Sequence, residues 1–235
     1  MRHRNLALLS AILVLALIIP PEQVQARCVE STELSDFVRS TYEDEIEFEV
    51  IRNGKIVGSH RTVFSHSSAG LHARSTMQLT VTLLFIPFFD FAYDSHSTWC
   101  DEKMVALEAT VARNGVLNSV SASSDGVTTL VQSGQTQLAH PATLIPTDHW
   151  NPAVLQTSHV LNTITGRINN VDIVQCPATK ARTLGLSLPA GTECFEYTGD
   201  LTATVWYLHE RWIGLAFQGD DGSDIVYRCR DCRIP

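Results

Sequence analysis

The sequence predicts an all-β protein: a mostly antiparallel, strongly curved sheet, half-barrel or barrel-like, of about twelve strands. Three observations predict it. Apolar residues recur with period two along most of the chain. Turn signals punctuate that alternation at short spacing, at Asn53-Gly54, Asn114-Gly115, Asp125-Gly126 and Asp220 to Gly222. No long helical pattern follows the N-terminal apolar run. A meander of this length must curl, close or cover its edges, because free strand edges pair with one another.

The first 26 residues read as a secretory signal peptide. Arg2, His3 and Arg4 form a basic start, Leu6 to Ile19 is apolar, and Val24-Gln25-Ala26 offers a cleavage site after Ala26. The apolar run is shorter than the roughly 20 residues of an ordinary membrane span. Cleavage removes Arg2, Arg4 and Glu22, so the net charge moves from −8 to −9. The expected location is periplasmic or secreted in a bacterium, with no stable membrane span after cleavage. Residues 27–41 form an N-terminal segment with a short helical turn, and 42–235 a single β domain.

The strands follow in order. Ile46, Phe48 and Val50 alternate with Glu45, Glu47 and Glu49, the pattern of a half-buried antiparallel strand. Ile56–His66 and Leu71–Leu83 come next, then Met104–Arg113, Val116–Ser123 and Val127–Gln132. The last six are Val160–Thr163, Asn170–Cys176, Thr192–Thr198, Leu201–Leu208, Arg211–Gln218 and Ser223–Arg230. Pro87 speaks against a regular central strand and for a bent connection at a barrel mouth. Pro141 to Pro152 is the longest irregular stretch.

Composition excludes some partners. An acidic chain lacks the basic stripe that nucleic acid requires and the polybasic patch of a membrane-surface binder. No phosphate loop, dinucleotide fingerprint, serine-nucleophile elbow or metal-binding H-E-x-x-H occurs. The nine histidines show no recognisable ligand spacing. His60 and His66 share a strand face, and His66 and His72 lie across the Ser67–Gly70 turn, but solvated strand histidines are the simpler reading. No metal or other cofactor is called. Asp148-His149 beside Trp150 is the best polar cluster: Asp orienting His as a general base, or Trp150 plugging the core while Asp148 caps backbone groups. The second is preferred, and no catalytic residue is called.

Six cysteines in an oxidising compartment read first as disulfides. Cys176 and Cys194 flank a Pro, Gly and Ser-rich loop and fall on matching faces of adjacent strands, so they are expected to pair. Cys28, Cys100, Cys229 and Cys232 leave three connectivities open. Cys229-x-x-Cys232 also has metal and redox readings, but it ends a strand and has no second pair at knuckle spacing.

Several segments, in order, resemble an uncharacterised bacterial exported family, domain of unknown function 6134. They begin with the hairpin Glu49 to His60 and continue through Leu83 to Ile86 and Phe91 to Trp99. The clearest is Leu144-Ile145-Pro146-Thr147-Asp148-His149-Trp150-Asn151-Pro152. Leu161 to Arg167, Gly199-Asp200-Leu201, Trp206-Tyr207 and Arg211 to Leu215 complete the set. The turn after Trp99 departs from the family, being Cys100-Asp101-Glu102-Lys103. The resemblance implies a fold similar to periplasmic lipoprotein-carrier-like curved sheets, and transfers no activity.

The most unusual stretch is Leu83 to Tyr93, which breaks the alternation with Phe85, Phe88, Phe89 and Phe91. Either these rings close the core or they line a ligand cavity. Phe85, Phe88, Phe91, Tyr93, Trp150 and Trp206 are therefore the candidate ligand-binding residues. Two functions follow. One is a non-enzymatic exported protein binding an apolar or lipid-like molecule inside the sheet. The other is an envelope module with a filled core that recognises or supports another protein. An enzyme using the Asp148-His149 loop is the third and weakest.

Overall fold

The structure is a computed structural model and describes residues 28, 33–83, 86–140, 144–230 and 232. The signal-peptide reading and Phe85 lie outside the described residues. A helix, α1 (Glu33–Tyr42), precedes the strands. It buries Leu34, Val38 and Tyr42, one turn apart, against the sheet. Then come β1 (Glu45–Arg52), β2 (Lys55–Ser67), β3 (Gly70–Leu83), β4 (Ile86–Cys100), β5 (Lys103–Arg113), β6 (Val116–Ser124), β7 (Thr129–Ser133) and β8 (Thr136–His140). The second run is β9 (Ile145–Pro146), a 3-10 turn (Pro152–Gln156), β10 (His159–Leu161), β11 (Ile168–Cys176), α2 (Lys180–Thr183), β12 (Glu193–Gly199), β13 (Ala203–Leu208), β14 (Arg211–Gln218) and β15 (Asp224–Cys229).

All fifteen strands form one sheet, in the order β8 to β1, then β15 down to β9. Each run is a meander of neighbours, and the β1–β15 pairing joins first strand to last. Among the described residues, only β9 and β10 pair in parallel. The sheet curls until its ends nearly meet, yet it does not close by strand pairing. At the seam the Ser133 hydroxyl donates to the Thr165 carbonyl at 3.1 Å, and the His140 and His159 rings lie 5.6 Å apart. Gly166, at φ +71°, permits this approach, since a Cβ there would sit 2.6 Å from that of Ser133.

Fifteen strands replace the expected twelve. The three additions are β4, β8 and β9. β4 is a central strand, paired along its length with β3 and β5. Pro87 is tolerated because it stands at the strand's start, beside a bulge at Val81/Thr82.

Two layers of core result. The inner face of the curl buries one apolar cluster running from Val38 through Phe48, Trp99, Trp150 and Tyr227. On the outer face of β12–β15, the 177–192 connection and α2 cover a second cluster of Cys194, Trp206, Leu208, Ile213 and Val226 with Ala181 and Leu186. β13 is consequently buried on both faces. Disulfides join Cys28 to Cys100, Cys176 to Cys194 and Cys229 to Cys232, with Cα separations of 5.3, 5.0 and 5.7 Å. Cys176 and Cys194, the pair expected from the sequence, sit directly opposite in the β11–β12 register.

Two outcomes test this frame. A Cβ on Gly58 would overlap the Gln78 carbonyl oxygen of the neighbouring strand. Gly58→Ala should therefore cost about 3 kcal/mol or prevent folding, read from the denaturant midpoint; a loss below about 0.5 kcal/mol would contradict the register. Loop-closure entropy ranks the disulfides. Removing Cys28–Cys100, which closes 72 residues, should cost up to about 4 kcal/mol. Removing Cys176–Cys194, which closes 18, should cost about 3 kcal/mol.

Candidate functional site

The 144–156 segment enters the curl and fills it. Leu144 and Val154 are buried at its two ends, and Trp150 is fully buried between them. Its indole packs edge-on against Phe64 of β2 at 5.2 Å and Trp99 of β4 at 5.3 Å. The main chain here is anchored by tyrosines from elsewhere. Tyr42 of α1 donates to the Trp150 carbonyl at 3.0 Å and accepts from the Trp212 amide at 3.0 Å. Tyr207 donates to the His149 carbonyl at 2.8 Å. The Asn151 side chain caps the 3-10 turn by accepting from the Ala153 amide. The sequence reading that Trp150 plugs the core describes this geometry.

Asp148 and His149 have different neighbours. The His149 ring faces Tyr197 and Trp212, each 5.5 Å away. Burial, with His60 nearby, lowers its pKa to about 3. Burial likewise lowers His60 to about 4; its ring is packed among Phe48, Trp212 and Tyr227. Burial raises the Asp148 carboxyl to about 6, and the neighbouring Trp150 indole draws it partly back. An imidazole this weakly basic is poorly matched to proton abstraction near neutral pH.

The five described ligand candidates do not share one cavity. Phe91 and Tyr93 face inward from β4 and are buried; the Tyr93 hydroxyl donates to Thr163 at 2.7 Å. Phe88 is 70% exposed. Trp150 is the plug, and Trp206 lies in the other cluster beneath the 177–192 connection. Inward side chains along β1, β4, β5 and β13 are almost wholly inaccessible; a water-sized void would leave its lining accessible. The concave spaces lie instead on the outer face of β2–β5, at about 360 and 440 Å³. They were not legible in the sequence because they depend on β4, which brings His96 against His72, with rings stacked 5.3 Å apart. His72 therefore stacks on His96 instead of standing free as a solvated strand histidine.

A family model described as Domain of unknown function (DUF6134) matches residues 48–230. No curated protein matches the chain. Among solved structures, the chain is similar to a β-barrel-like protein of domain of unknown function DUF1849 from Brucella abortus. The TM-score is 0.51 at 10% identity, covering 80% of this chain and 95% of that one. That likeness is one of fold.

The interior predicts acid sensitivity. His60 and His149 have folded pKa values below the ordinary 6.5, so their contribution is complete above about 6.5 and lost as pH falls toward 4 and 3. Asp148 is raised from 3.8 to about 6; its contribution is present below 3.8 and lost as pH rises through 6. Between about pH 4 and 6 the unfolded chain thus gains two protons against one held by the fold. Stability should climb with pH there by about 1.4 kcal/mol per unit. Urea midpoints at pH 5 and 7.5 read this, and His60→Leu should roughly flatten the slope. An unchanged slope in the variant would remove His60 from the account.

Proposed function

Because the chain belongs to the DUF6134 family, whose members carry a domain of unknown function, we propose that it is an exported, non-enzymatic β module that recognises an envelope component through its outer surface. The observation that carries this reading is the buried Trp150 between Phe64 and Trp99. It occupies the place where an enclosed ligand would sit. Three cysteine pairs at disulfide distance suit an oxidising compartment. No described helix is long and apolar enough to cross a membrane.

A second reading keeps an apolar or lipid-like ligand but moves it to the rim. Phe88, Val116 and Leu117 are 70%, 72% and 70% exposed. They stand near the tips of the β3–β4 and β5–β6 hairpins, which share one end of the curl. Arg113 lies over the Phe89 ring there, 5.7 Å from its centre. An apolar molecule would rest on this rim without entering the filled interior.

Native mass spectrometry of gently purified protein separates the two readings. The surface-module reading expects the mass of the mature chain alone and no rise in fluorescence with a hydrophobic dye. A stoichiometric apolar adduct would overturn it. An adduct lost in Phe88→Ser with Leu117→Ser would place the ligand on the rim.

A further inference from the structure

The outer face of β2–β5 carries two adjoining depressions, and their composition is unusual for so acidic a chain. The smaller depression, about 360 Å³, is lined by Arg61, His72, Arg74 and His96 together with Val63, Ser65 and Thr76, and by no carboxylate. The pairing register explains the cluster. Val63, Arg74 and His96 stand opposite one another on β2, β3 and β4, and Ser65, His72 and Thr98 form the next row. The His72 ring is fixed from both sides, by the Thr98 hydroxyl at 3.2 Å and the Ser67 hydroxyl at 2.7 Å.

The nearby acids do not close the site. Glu45 pairs with Arg61, and Asp94 with Arg74. Both pairs are about half exposed, so each is weak and exchangeable. Glu108 is opposite His96 in the register but is not part of the lining. Arg61 and Arg74 each hold their carboxylate through Nε and Nη2, the same fork that would receive a phosphate in exchange, and the two imidazoles lie beside them.

Thr76 also lines the adjoining depression of about 440 Å³. Its floor is low because Ser59, Ala92 and Ala112 are small, while Gln78, Asp94 and Thr110 supply hydrogen-bonding groups. A hydroxylated ring with apolar C–H faces suits that mixture. We propose that the joined depressions bind a phosphorylated sugar, its phosphate at the Arg61, Arg74, His72 and His96 end and its hydroxyls over Thr76, Gln78 and Thr110. This rests on the surface-acting reading and names its ligand chemistry.

Calorimetric titration of the whole mature protein with glucose 6-phosphate, inorganic phosphate and glucose tests it. Glucose 6-phosphate should saturate, with inorganic phosphate several-fold weaker and glucose weaker still. Arg74→Gln should weaken glucose 6-phosphate about tenfold without lowering the thermal midpoint appreciably. Thr110→Trp, which fills the second depression, should weaken glucose 6-phosphate and leave inorganic phosphate unchanged. Sedimentation with phosphatidylglycerol vesicles identifies the source of the phosphate. Binding that is lost in Arg74→Gln assigns it to a lipid headgroup; no vesicle binding alongside saturation by glucose 6-phosphate assigns it to a free or glycan-borne sugar. If none of these probes saturates at millimolar concentration, or if Arg74→Gln binds like the parent, the proposal falls. The filled interior is read separately by native mass and would stand.

Discussion

Everything in this fold turns on how a curled but unclosed sheet fills its own lumen. A sheet whose inner face is apolar cannot leave that face to water, and fifteen strands enclose more space than their inward side chains fill alone. The chain solves this with the 144–156 segment, which brings Trp150 between Phe64 and Trp99. Burying a Trp side chain supplies large apolar contact. It also brings irregular backbone inside, where carbonyls need partners. Tyr42 and Tyr207 provide them. Each phenol reaches the plug from a different side of the curl, so the plug ties α1, β2, β4 and β13 together.

The plug accounts for other features. Tyrosines are numerous inside because their rings pack while their hydroxyls reach polar backbone. His60 and His149 are buried in the same aromatic surroundings and are held uncharged for that reason. The seam is economical for a related cause. Once the lumen is filled, the ends of the sheet need only cover one another, and the Ser133–Thr165 contact with bare Gly166 achieves this without a ladder.

The acid-sensitive interior was legible only in part: the Asp148-His149-Trp150 segment stands out in the sequence, whereas His60 reads there as a solvated strand histidine and is in fact buried among Phe48, Trp212 and Tyr227. Period-two alternation locates strands such as β1 because one face is apolar and the other charged. It fails at β13, where Trp206 and Tyr207 are both buried on opposite faces, so Trp206 looks like a partner of Trp150 when it is not. It fails at β4 because Pro87 normally ends strands, and its place at the strand's start beside the bulge at Val81/Thr82 shows why this one is permitted. Cys176–Cys194 was readable as a local cross-strand pair, whereas Cys28–Cys100 closes a span whose ends meet only after the curl forms. The His72–His96 stack escaped detection for the same reason as β4.

A filled lumen shifts the burden of specificity onto the outside. In a carrier-like curl the inner face varies with the ligand, and outward strand positions need only be soluble. Here the inner face is committed to packing, and under the proposed surface-acting reading recognition would fall to outward side chains whose relative positions the register fixes to within a strand spacing. The outer face of β2–β5 differs from a merely solvated surface in one respect. Small residues at Ser59, Ala92 and Ala112 lower its floor, while arginines and histidines raise one end. Solubility alone would be met by scattered charge of either sign. Arg61, His72, Arg74 and His96 gather around one depression on a chain of net charge −8, with Glu45 and Asp94 as the arginines' partners, and this local gathering is what the proposed anionic ligand would account for.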